Sequence, residues 1–135
     1  MMSGSQHLWI LVAAGSALGG VARMGLNALV TARAGEVFPW GTLVVNLAGS
    51  FLIGLVAGLG SHGAGWIATT QARHFLITGC LGGFTTFSAF SLQALQLIQQ
   101  NRPMAAGLYA AASAGGCVLA AAVGWQAGVA QSRLP

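Results

Sequence analysis

The run Gly79-Cys80-Leu81-Gly82-Gly83-Phe84-Thr85-Thr86-Phe87-Ser88-Ala89-Phe90-Ser91 sets three glycines ahead of two adjacent threonines in the middle of an apolar stretch. Glycine and β-branched residues are weak helix formers, so the run predicts a helix that stops and restarts. Within hydrocarbon such a stop frees amides and carbonyls that no lipid can satisfy. It persists only where protein buries it, water lines it or an ion binds it. Freed carbonyls suit a small hard cation such as Na⁺. The same glycines also fit a plainer role, a smooth helix face for close packing. The adjoining Thr85-Thr86-Phe87-Ser88 weighs toward the break.

The apolar stretch around this run extends over 75–98, and three more of comparable length flank it, at 8–32, 41–60 and 104–129. Each reaches the roughly 20 residues a helix needs to cross a hydrocarbon core of about 30 Å. The chain of 135 residues is 56% apolar and only 4% charged, against roughly a quarter charged in a soluble domain. The expected fold is therefore an all-α membrane protein of four transmembrane helices, the third broken, in one domain spanning 1–135. Met1 to His7 hold no Lys or Arg, and the first apolar run exceeds a signal-peptide core, so that segment is expected to stay in the membrane.

The charges exclude several function classes. All five basic residues are Arg and are scattered, with no stacking aromatics between them, which argues against nucleic acid. The single acid, Glu36, falls in a loop, so no titratable carboxylate is available inside the membrane for proton-coupled exchange. Paired carboxylates, a Ser/His/Asp set and a metal cluster are all missing, which argues against an enzyme. His7, His62 and His74 sit near span ends, and Cys80 and Cys117 fall in apolar stretches without metal-ligand spacing. Four spans put Arg73 and Arg133 on one side of the membrane and Arg33 and Arg102 on the other. Loop Lys/Arg bias sets orientation, so this balance predicts insertion both ways round.

Other residues stand out against the apolar background. Asn46, Ser50, Gly54 and Gly58 recur every four residues and share a helix face. The Asn46 amide is able to donate to an anion or to bond a neighbouring helix. Phe87 and Phe90, three apart, share a face too; ring edges aimed at a pathway would stabilise a small anion, and the plainer alternative is packing. Tyr109, Ser113 and Cys117 form a file of weak donors on the fourth span. Gly15 and Gly19 have small-xxx-small spacing on the first.

The runs Pro39-Trp40-Gly41-Thr42-Leu43-Val44-Val45-Asn46 and Gly82-Gly83-Phe84-Thr85-Thr86-Phe87-Ser88-Ala89-Phe90-Ser91, with Gly19-Gly20-Val21-Ala22-Arg23 before them, resemble the CrcB/Fluc fluoride channel family over nearly the whole chain. The resemblance implies an antiparallel, dual-topology homodimer in the cell membrane, with two pores that let fluoride leave the cytoplasm passively. It implies a structural, non-transported Na⁺ on the backbone carbonyls of Gly82 and Thr85. It also implies a fluoride pore lined by Asn46, Phe87, Phe90, Tyr109 and Ser113, with Thr86 and Ser88 of the shared motif beside them. Cys117 stands where a serine is common, Ala89 where a threonine is, and Gln93 where the family often has glutamate.

Two competing readings stay open at this level. A small proton-coupled multidrug-type exporter shares the size and span count but needs the embedded acid this chain lacks. A non-conducting scaffold would pack its helices through Gly15, Gly19, Gly54 and Gly58.

Overall fold

A computed structural model describes residues 4–62 and 65–133. Residues 1–3 of the N-terminal stretch lie outside it, as does the side chain of His62. The regular elements among the described residues are all helical, beginning with α1 (Gly4–Ala34) and α2 (Trp40–Leu59), then two short 3₁₀ turns. The third span follows in two pieces, α3 (residues 70–84) and α4 (Phe87–Gln99), and α5 (Pro103–Ser132) closes the chain. Taking α3 and α4 together, four helices among the described residues are long and apolar enough to cross a membrane. Pro103 at the first turn of α5 starts that helix where its missing N–H costs nothing. Gly35 and Asn101, both at positive φ, turn the chain after α1 and after α4.

Glycine seams hold the helices together. Gly54 and Gly58 on α2 face Gly124 and Gly128 on α5. A Cβ at Gly124 would run into the Phe51 carbonyl, and one at Gly54 into the Ala121 carbonyl. Two small-xxx-small motifs thus bring backbones together where lipid supplies no hydrophobic drive, and dispersion does the work. The second seam joins α1 to α3. A Cβ on Gly15 would lie 2.6 Å from the Phe75 carbonyl oxygen, and one on Gly83 2.5 Å from that of Ser16. The four-residue stripe on α2 therefore divides its labour, with Gly54 and Gly58 in the seam and Asn46 and Ser50 free for other tasks.

Within α3, residues His74–Leu81 are wound as a π-helix, and the Gly82 N–H reaches back five residues to the Ile77 carbonyl. Wide winding of this kind is rare and concentrates at functional sites. At one end of the molecule, Arg102 donates to the Val37 carbonyl and ties the first loop to the third, as their expected common side requires.

Candidate pore site

The third span breaks at Thr85 and Thr86, whose backbones are extended at φ −80°, ψ 157° and φ −151°, ψ 116°. The glycines ahead of them stay helical. Extended geometry suits β-branched threonine, and the local bonds confirm the exchange. The Thr85 amide still closes onto the Leu81 carbonyl at 3.0 Å, and its hydroxyl donates to the same oxygen at 3.1 Å. The Thr86 amide, which would have closed onto Gly82 in a continuing helix, donates instead to Asn46 Oδ1 at 2.8 Å. Asn46 Nδ2 returns a bond to the Thr86 carbonyl at 3.0 Å. The Asn46 side chain, 9% exposed, thereby replaces both halves of a missing backbone pairing. Thr86 also caps α4, its Oγ1 accepting from the Ala89 amide at 3.2 Å.

This pattern decides what the break offers. The Thr86 and Ala89 amides are the helical partners of the Gly82 and Thr85 carbonyls, and both are engaged elsewhere, so those two carbonyls are released. Gly82 is exposed on the surface of the chain, and a Cβ there would meet only the Ile77 carbonyl, at 3.6 Å. Oxygen-only donors of this kind fit a hard monovalent cation. Among the described residues no three His, Cys, Asp or Glu side chains gather to hold a metal, so backbone oxygens are the available ligands. On the other side of the break, the N-terminus of the thirteen-residue α4 presents unpaired amides and the positive end of its dipole. One interruption thus exposes backbone acceptors on one side and backbone donors on the other.

A cavity of about 380 Å³ opens beside the break, walled by Asn46, Ser50, Thr86, Phe87, Phe90 and Ser113, with Cys117 beyond them. Phe87 and Phe90 hold their ring centroids 5.2 Å apart at 47°, with Phe87 79% exposed at the rim. Ser113 is 7% exposed and its Oγ is a buried polar atom with no hydrogen-bond partner. Buried hydroxyls are seldom left so, and the cavity is where its partner would sit.

Tyr109 and Ser88 do not line this cavity. Tyr109 is fully buried, packed between Phe38 and Phe90, and its hydroxyl donates to Gln93 Oε1 at 2.9 Å. Its one O–H is therefore committed to Gln93. Ser88 lines a second cavity of about 650 Å³ with Arg23, Asn27, Thr42 and Gln93, and Thr86 borders both spaces. A third, of about 260 Å³, adds Thr31, Gln96 and Gln100 to Asn27 and Gln93, with Glu36 at its loop. Sequence reading passed over Asn27 and Thr31. Their four-residue spacing after Arg23, on a span otherwise nearly free of large polar groups, was the signal available.

A family model described as "CrcB-like protein, Camphor Resistance (CrcB)" matches residues 10–125. Among similar proteins is a fluoride-specific ion channel FluC of Methylocella silvestris, 42% identical over 128 residues covering 95% of this chain and 96% of that one. Another, from Rhizobium meliloti, is 50% identical over 115 residues, 85% of this chain and 90% of that one. A third, from Opitutus terrae, is 51% identical over 94 residues, 70% and 71% of the two chains. With four membrane-length helices, the interrupted third span and these matches, the chain belongs to the CrcB family of multi-pass membrane proteins.

Proposed function

We propose that the chain is a passive fluoride channel, working as an antiparallel homodimer with a structural sodium ion at its centre. The observation that carries this reading is the broken third span, stapled by Asn46 and set beside a cavity whose Ser113 hydroxyl has no partner. The names of the similar proteins supply the identity of the ion.

Fluoride is small and tightly hydrated, so a pore must replace its water shell with donors that do not trap it. The cavity supplies neutral ones: the Ser113 O–H, the second Asn46 N–H, the Thr86 hydroxyl, the amides opening α4 and the positive ring edges of Phe87 and Phe90. No lysine or carboxylate walls it. Ser88 and Arg23 in the adjoining cavity would draw the anion toward the break. Hydrogen fluoride is a weak acid that crosses lipid uncharged and ionises in a neutral cytoplasm. A passive anion path then lets fluoride leave down its electrochemical gradient.

Sodium would be held by the Gly82 and Thr85 carbonyls of two copies, neutralising their partial charges and fixing the copies together. The exporter reading finds no membrane carboxylate to couple to, since Glu36 sits between α1 and α2.

Purified protein in liposomes loaded with fluoride or chloride tests the reading when a potential is clamped by a potassium ionophore. Fluoride should leave without a proton gradient, and chloride should stay. Phe90→Ile should slow efflux by about tenfold or more, the weight of one to two lost anion contacts. Efflux that requires a proton gradient, or chloride flux equal to fluoride flux, would defeat it.

A further inference from the structure

We propose that Cys117 is a modification site inside the pore cavity, and that a small thiol-directed electrophile bonded there shuts down fluoride conduction. The proposal rests on the channel reading above. Cys117 lies four residues beyond Ser113 on α5, so the two share a helix face, and both line the cavity of about 380 Å³ with Asn46, Phe87 and Phe90. The second observation comes from Ser113, 7% exposed, whose unpartnered Oγ marks this wall as one that receives a polar guest. Cys117 is a free thiol, partly exposed. The other free thiol, Cys80, is placed differently. It sits in the seam between α1 and α3, its carbonyl against Gly19 and its amide against Gly15.

The chemistry is a thiolate substitution at sulfur, of the same kind as the attacking step in thiol–disulfide exchange. With methyl methanethiosulfonate, the Cys117 sulfur attacks the sulfenyl sulfur of the reagent. A new S–S bond forms, methanesulfinate leaves with the electron pair, and the thiol proton passes to water. The product has lost its S–H donor and carries a methylthio group in the wall of the cavity. Both changes oppose the anion, one by removing a contact and one by narrowing its path.

Fluoride efflux from liposomes holding the wild type, Cys80→Ser or Cys117→Ser, each compared with its own rate before reagent, tests this. Wild type and Cys80→Ser should slow by at least about fivefold, the weight of one lost hydrogen bond. Cys117→Ser should not respond, and intact mass should show a methylthio group on Cys117. Unchanged efflux with Cys117 labelled would overturn the proposal. So would a Cys117 left unlabelled by excess reagent, or inhibition of Cys117→Ser equal to that of the wild type. A wild type that carries no fluoride before treatment would defeat the channel reading instead. In that case labelling of Cys117 would still decide whether the cavity is reachable.

Discussion

Removing the Ser113 hydroxyl should separate stability from transport, because the described residues give that group nothing to bond. Ser113→Ala should keep or raise stability by about 1 kcal/mol, since a buried unpaired polar atom is lost, while fluoride efflux slows by about tenfold. Thermal unfolding in detergent and liposome flux, measured on the same preparation, check both halves. Asn46 is the opposite case, holding the break by donating to one side of it and accepting from the other. Asn46→Asp keeps the acceptor and loses the donor, and it sets an unpaired charge at a buried position beside the anion path. Both stability and flux should fall, the flux by at least about a hundredfold by the weight of a buried unpaired charge. At this scale the sequence was partly legible. Asn46, Phe87, Phe90 and Ser113 stood out and share one cavity, whereas the engagement of Tyr109 with Gln93 depends on a contact between α4 and α5 that no local pattern displays.

Elements reveal why the break falls at Thr85 and Thr86 rather than in the glycines before them. Propensity pointed to the right stretch, but a residue forty positions away, Asn46, supplies the bonds that let the backbone open there. A local reading finds the weak point and misses the staple. The seam between α2 and α5 follows the same logic. Gly54 and Gly58 were visible as a stripe, and their partners Gly124 and Gly128 acquire meaning only once the helices are juxtaposed. Gly124→Leu should therefore cost about 3 kcal/mol or prevent folding, because a Cβ there meets the Phe51 backbone. Gly107→Ala, at a position with nothing within 4 Å of a Cβ, should be neutral or gain up to about 1 kcal/mol of helix propensity. Unfolding midpoints of the pair, side by side, test whether the seam or general helix quality sets stability.

For the whole molecule, the four-span plan was readable from length and hydropathy alone, because lipid imposes a helix length that composition reveals. Arg33 and Arg102 lie toward the end where Arg102 meets Val37, leaving Arg73 and Arg133 for the other. With loop charges so balanced, a reporter fused to the C-terminus should appear on both faces of the membrane. Its recovery on one face only would count against the antiparallel dimer. The wide-wound stretch His74–Leu81 has a mechanical corollary. Passing from five-residue to four-residue bonding there would shift the helical register downstream by a residue, a rotation of about 100°. The threonine hinge would then swing out of reach of its asparagine latch, and the third span would change its phase without any helix leaving the bilayer.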